Sequence, residues 1–191
     1  YGDLYFNHER PKPLKTFDTN DNILYLTSLS KTVSPGLRVG WIVAKPSVAA
    51  HLSDLKMQND YGASSISQYI ASEWLTQPQY HDQHLKELKE KLLIKRNLFL
   101  ESLKKYFSDF GSWSMPDGSF YIWFQFNFSI DMKRLFDAAI AENILINPGE
   151  VYDKHAHNCI RFSYAYIDTD DIDATLKQLR EIIKTRFLIS S

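Results

Sequence analysis

An α/β fold in two lobes is what this 191-residue sequence predicts. In the second lobe short strand-like runs alternate with helical runs, which argues for an α/β or α+β lobe. One helical run, from about Tyr80 to Tyr106, is far longer than the rest and suits a connector between lobes. The loop-like stretch after it, 107–118, marks entry into the second lobe, so the domains are expected at 1–106 and 107–191.

Residues 7–22 are polar and broken by Pro11, Pro13 and an Asn/Asp cluster, and read as loop. Residues 23–27 and 39–43 are β-rich apolar runs and read as strands. Between them, 28–38 is polar and turn-forming. Ser47, following Pro46, is placed to cap a helix running to about Asn59. A second helix is expected over 65–75. The long third helix carries Leu85, Leu88, Leu92, Leu100 and Leu103 roughly on one stripe. In the second lobe, strands are expected over 119–126, 144–146 and 160–165, and helices over 131–142 and 169–186. The last helix presents Ile172, Leu176, Leu179 and Ile183 on one face, with Asp168 or Thr169 as its cap. There is no internal repeat and no low-complexity segment.

Composition narrows the function classes. With 44% hydrophobic and 24% charged residues, the chain has an ordinary globular make-up and enough apolar material for a core. A formal net charge of −1 gives no electrostatic reason to expect nucleic acid or an anionic membrane as a partner of this portion. Cys159 is the only cysteine, which excludes an internal disulfide and a cysteine-based metal site and fits a cytoplasmic home. No stretch is apolar for long enough to span a bilayer as a helix. The chain opens abruptly on Tyr1-Gly2-Asp3-Leu4-Tyr5-Phe6, without Met, as expected of a fragment.

Four residues near the first strand carry the chemistry: Ser28, Ser30, Lys31 and Arg38. A lysine that must form an imine needs a neutral amine part of the time, so it sits near another cation or away from water. A phosphate needs a guanidinium fork and short hydroxyl donors, because its oxygens accept more bonds than one residue supplies. Two serines and Arg38 provide that set if the loop folds back, and Pro35-Gly36 supplies the bend. For a lone lysine, a surface charge in a polar loop would be the better account.

The pattern is more than a lone lysine. Ser28-Leu29-Ser30-Lys31, followed by Pro35-Gly36-Leu37-Arg38-Val39-Gly40-Trp41, resembles the pyridoxal-phosphate (PLP) lysine signature of fold-type I, class I/II aminotransferases. The resemblance implies that Lys31 forms the Schiff base and that Ser28, Ser30 and Arg38 bind the cofactor phosphate. Tyr1-Gly2-Asp3-Leu4 resembles the family segment whose tyrosine bonds the pyridoxal 3′ oxygen, which gives that role to Tyr1. The family's pyridine-nitrogen aspartate would fall just before Tyr1, and its glycine-rich phosphate loop and ring-stacking aromatic earlier still. In the second lobe, Met115-Pro116-Asp117-Gly118-Ser119-Phe120 resembles the family's Pro-x-Gly-Gly strand, with Ser119 in place of the second glycine. Asn147-Pro148-Gly149 resembles its Pro-Gly turn, and Cys159-Ile160-Arg161-Phe162-Ser163 the strand whose arginine grips the substrate α-carboxylate. Physics agrees for Arg161: an arginine in an apolar strand is costly to bury unless it meets an anion, and its planar fork suits a carboxylate. The implied fold is the later part of the fold-type I large domain plus a small C-terminal α/β lobe.

Other candidates have plainer readings. His155 and His157 lack the carboxylate or cysteine that would complete a metal set, so a solvated loop is expected and no metal. His81 and His84, at the start of the long helix, are expected at the surface, and Glu101, Lys104 and Lys105 on a charged helix face. Tyr61-Gly62 reads as a helix end. Tyr164 and Tyr166 read as core or interface aromatics.

Two functions share these motifs. One is a free-standing transaminase, similar to those acting on aminoadipate, kynurenine or aromatic amino acids. The other is the effector and dimerisation domain of a MocR-type (GntR-family) transcription regulator, in which a winged helix-turn-helix precedes an aminotransferase-like domain. DNA would then be contacted only through that preceding domain, and ligand binding would shift a population rather than drive turnover. The stretch Pro11-Lys12-Pro13-Leu14-Lys15-Thr16-Phe17-Asp18 resembles MocR sequences and tips the reading to the regulator. A PLP-free remnant fits less well, because Lys31, Arg38 and Arg161 are all present. A homodimer in the complete protein and an amino acid or amine ligand are expected in either case.

Overall fold

Tyr25–Ser28 (β1) and Gly40–Val43 (β2) pair antiparallel in the computed structural model, which describes residues 1–6 and 9–188. In the expected loop over 7–22, Asn7 and His8 lie outside the described residues. The register sets Tyr25 opposite Val43 and Ser28 opposite Gly40. Only glycine suits that last position, because a Cβ on Gly40 would stand 2.7 Å from the Thr27 carbonyl oxygen.

Helices follow. Pro46–Asp60 (α1) starts earlier than expected: Lys45 is the cap and Pro46 opens the first turn, which corrects the assignment of Ser47. Proline suits that place, since its fixed φ is already helical and its missing N–H would have had no partner. Ser65–Leu75 (α2) has the expected bounds, and Ser64 caps it by accepting from the Ser67 N–H. Pro78–Phe107 (α3) is the long helix, again begun by proline. Contacts divide the chain into one unit up to Lys89 and a second from Glu90, a division that falls inside α3.

Before β1, the loop is tied down by one acid. Asp18 is buried to 1% side-chain exposure and takes Lys15 Nζ at 2.6 Å and the N–H groups of Asn22 and Ile23, both at 3.1 Å. The Lys15 ammonium, helped by those N–H groups, holds the Asp18 carboxyl down at about 2, against an ordinary 3.8. A folded value below the unfolded one means stabilisation that is fully present above the ordinary value and lost as pH falls through the folded one. The Asn22 and Ile23 amide resonances of the full-length protein are therefore expected to lose their folded positions as pH drops from about 4 towards 2. In Asp18→Asn the same resonances should lack that acid transition.

The second unit has a three-stranded antiparallel sheet in the order β3-β4-β5, from Gly111–Trp113 (β3), Tyr121–Phe126 (β4) and Cys159–Ser163 (β5). β3 lies in the stretch expected as loop, a correction: three residues are too few for alternation to show, and β3 exists because Trp113 pairs opposite Phe124. The expected strand at 144–146 is not one. Backbone pairing begins just after it, where the Arg161 N–H donates to the Asn147 carbonyl and Pro148 forms a single bridge with Ile160. One bond and one bridge leave this stretch short of a strand.

Met132–Ile140 (α4) is capped by Asp131, whose side chain accepts from the Arg134 N–H at 2.9 Å. Ile172–Ile183 (α5) follows a short 3-10 turn at Thr169–Asp171, so the expected cap residue Asp168 precedes that turn and makes no side-chain cap bond. All four residues expected on its inner face are buried. The core is aromatic: Phe124, fully buried, meets the rings of Phe107, Phe126, Phe162 and Trp113 at 4.9–5.9 Å. Tyr164 is also fully buried, as read from the sequence, and its hydroxyl donates to the carbonyls of Gly118 and Ser119 at 3.1 and 2.7 Å. Burial pushes that phenol well above its usual range. Tyr166, by contrast, is exposed.

Candidate functional site

In the first unit, the segment after β1 turns on a single carbonyl. Leu29 extends the ladder by donating to Val39, and its carbonyl accepts from the N–H groups of both Val33 and Ser34. Ser34 then caps a 3-10 turn, Pro35–Leu37, by accepting from Gly36. Arg38 leaves that turn in a left-handed conformation, φ 52°. This brings its guanidinium back over the loop, where Nη1 donates to the Pro35 carbonyl at 3.1 Å and to Ser30 Oγ at 3.5 Å. The fold-back that the phosphate set required is therefore present for Ser30 and Arg38. Ser28 ends β1 in an exposed position opposite Gly40.

Lys31 is exposed, and its Nζ lies 6.0 Å from the centroid of the Tyr1 ring. Among the described residues no carboxylate is ion-paired with Lys31 or Arg38. On this turn a primary amine with no acid partner among the described residues can attack a carbonyl, while the Arg38 guanidinium, which has no carboxylate partner among them, can hold an anion.

One contact here was missed by sequence reasoning. His81 and His84 are half-buried rather than at the surface, and His84 Nε2 lies 2.9 Å from the Thr32 carbonyl oxygen. Their spacing of three on a helix, beside Leu85 and Leu88, is a signal for their partial burial but not for the Thr32 carbonyl as partner.

In the second unit, Arg161 sits on β5 opposite Trp123. Its guanidinium carbon is 3.8 Å from the ring centroids of both Tyr121 and Tyr152, so aromatic rings cover it on two sides. Nε is buried without a hydrogen-bond partner among the described residues. The group opens on a cavity of about 660 Å3, also lined by Tyr121, Asn147, Ser163, Tyr166 and Asp168. A guanidinium so covered offers its edge, which is how a planar carboxylate is best met. Ser119 has φ 72°, the region that favours glycine. The serine that departs from the Pro-x-Gly-Gly pattern thus keeps the backbone shape glycine would give.

The Glu150 carboxylate and exposed His157 are hydrogen-bonded at 2.6 Å, and among the described residues no group of three or more His, Cys, Asp or Glu is placed to hold a metal.

The model of the family described as "Aminotransferase class I and II" matches residues 1–179. The chain belongs to the class I and II aminotransferase family. Among solved family structures, kynurenine aminotransferase of Pyrococcus horikoshii, in complex with PMP, aligns over 97% of this chain and 46% of its own, at TM-score 0.90 and 28% identity. LysN, the α-aminoadipate aminotransferase of Thermus thermophilus, solved with N-(5′-phosphopyridoxyl)-L-leucine, aligns over 96% of this chain and 48% of its own, at TM-score 0.88 and 25% identity. The chain therefore has the mixed α/β fold of fold-type I aminotransferases and spans about half of their length. Among curated relatives, the "Uncharacterized HTH-type transcriptional regulator YisV" of Bacillus subtilis is 42% identical over 181 residues, which are 95% of this chain and 37% of that protein. The HTH-type transcriptional regulator NorG of Staphylococcus aureus is 36% identical over 185 residues, 96% of this chain and 41% of that protein.

Proposed function

We propose that this aminotransferase-like chain is the ligand-sensing and dimerisation part of a MocR-type transcription regulator that binds PLP at Lys31. The observation that carries the reading is the identity of 36–42% to HTH-type regulators along almost the whole chain, against 25–28% for the solved enzymes. The other reading, a free-standing transaminase, draws on the shared fold. In the proposed protein, DNA is bound through a helix-turn-helix domain ahead of Tyr1, and two copies associate. A cytoplasmic location and lobes at 1–106 and 107–191 belong to the same proposal. No helix among the described residues is long and apolar enough to cross a membrane.

The residues present fit PLP. Arg38 and Ser30, already in contact, offer a fork and a hydroxyl for a phosphate, and Ser28 adds a second hydroxyl nearby in sequence. Lys31 would hold the aldehyde through its amine, and the Tyr1 hydroxyl would serve the ring's 3′ oxygen. When bound, PLP supplies an electron sink conjugated to the ligand's amine-bearing carbon. With PLP in place, the Lys31 amine would stand where it could take up or return a proton at the ligand's amine-bearing carbon. Arg161 orients the ligand by its carboxylate, and Tyr121 and Tyr152 keep the guanidinium from turning.

Arg161→Ala in the full-length protein is expected to leave PLP binding intact and to weaken amino-acid binding about 10- to 100-fold, the range for hydrogen bonds to a charged group. Titration of the PLP-loaded protein with amino acids reads this, and unchanged affinity would remove the role of Arg161. The regulator reading is tested by DNA affinity of the full-length protein with and without PLP and amino acid. A ligand-dependent change in affinity is expected. No DNA binding, together with steady conversion of an amino acid to its keto acid, would establish the enzyme instead.

A further inference from the structure

The backbone around Lys31 is held from two directions, and only one of them belongs to the turn itself. The Leu29 carbonyl closes the turn from inside, accepting from Val33 and Ser34 at 2.9 and 3.1 Å. The remaining buried carbonyls must find partners elsewhere. Thr32, directly after Lys31, is buried at 5% exposure, and its carbonyl oxygen lies 2.9 Å from His84 Nε2 on α3. A carbonyl can only accept, so Nε2 carries the proton and donates.

The histidine is itself fixed. Its ring meets Trp74 of α2 edge-on, with centroids 5.5 Å apart and planes at 87°. Trp74 Nε1 is committed to His81 Nδ1 at 2.7 Å. An indole N–H is a donor only, so His81 accepts there and keeps a proton on Nε2. Trp74, His81 and His84 thus form one bonded and packed cluster on two helices. Its single hydrogen bond to the lysine turn ends on the carbonyl next to Lys31.

Lys31 needs such an anchor because its own side chain is exposed and makes no ion pair among the described residues. Order at the amine has to come from the Cα that carries it. A tether that starts from a fixed backbone loses less conformational freedom on attachment than one that starts from a mobile turn.

We propose that His84 is a positioning residue for Lys31, acting through the Nε2–H···O=C bond to Thr32, an assignment that rests on Lys31 being the site of PLP attachment. His84→Gln keeps an N–H donor at similar reach, and His84→Ala removes it. Both are compared with the parent as full-length proteins, by hydrogen exchange of the segment holding residues 29–34 without PLP, and by PLP titration followed through visible absorption and circular dichroism. In His84→Ala, exchange should speed up and PLP affinity fall about 3- to 10-fold, the equivalent of one net hydrogen bond. His84→Gln should stay within about twofold of the parent in both measurements, since the donor is retained. The proposal is overturned if His84→Ala leaves PLP affinity unchanged, whatever the exchange shows. It is equally overturned if His84→Gln is as impaired as His84→Ala, for then the ring's packing and not its donor matters. Lys31→Ala run in parallel separates the two claims. If it keeps the visible band, the attachment site is wrong and the positioning role falls with it; if it loses the band while His84→Ala changes nothing, only the positioning role falls.

Discussion

Replacing Lys31 with alanine in the full-length protein is expected to abolish the visible band that added PLP produces, while far-UV circular dichroism stays the same. The loss should be complete rather than graded, because the proposed link is covalent and no other lysine stands in this turn: the next along the chain is Lys45, beyond β2. Little of the fold depends on the side chain, which is exposed and makes no ion pair among the described residues. Exposed substitutions of that kind usually change stability by no more than about 0.5 kcal/mol. Absorption and circular dichroism on one sample therefore separate loss of attachment from loss of structure. A visible band that survives the substitution would move the site elsewhere.

The largest effect on stability is expected at Phe124. Its ring is fully buried on β4 and is met by Phe107 at 5.5 Å, Phe126 at 4.9 Å, Phe162 at 5.9 Å and Trp113 at 5.9 Å. Trimming such a ring to alanine removes its burial and leaves a cavity that neighbouring rings cannot collapse to fill, at about 3–5 kcal/mol. Since whole domains are stable by only about 5–15 kcal/mol, that fraction is large. Phe124→Ala should lower the midpoint of thermal unfolding of the lobe that contains it by at least about 12 °C. The adjacent Gln125, exposed on the other face of the same strand, provides the control: Gln125→Ala should shift the midpoint very little. Equal shifts for the two would mean that this aromatic cluster is not the core.

Much of this was legible in the sequence, for identifiable reasons. The Ser28–Trp41 signature combines a lysine, two hydroxyls, a bend and a guanidinium at fixed spacing, and such chemistry survives being read in one dimension. The expected helix over 65–75 matches α2, which in the structure is bracketed by the Ser64 cap and by Pro78, the start of α3. Local rules failed where two of them competed. At α1, Pro46 outranks Ser47, since a residue that needs no partner for its N–H is better placed at the helix start than one that supplies a cap. At 144–146 the apolar run matches burial, and Ile144 and Ile146 are buried, but backbone pairing to β5 begins only at Asn147 and amounts to one bond and one bridge.

Long-range contacts were not legible at all. Nothing in the order of residues says that Tyr121 and Tyr152 enclose Arg161, because that depends on the register placing Trp123 opposite Arg161. His84 was read as a surface residue because its partner is a main-chain carbonyl 52 positions away, and a carbonyl has no sequence signal.

The central claim is that the amine of Lys31 carries the cofactor. It is tested most directly by reducing the PLP-loaded full-length protein with borohydride, digesting it, and locating the pyridoxyl group by mass spectrometry. The group is expected on the peptide containing Lys31, at one equivalent per chain. A group found on another lysine, or none after reduction, would contradict it.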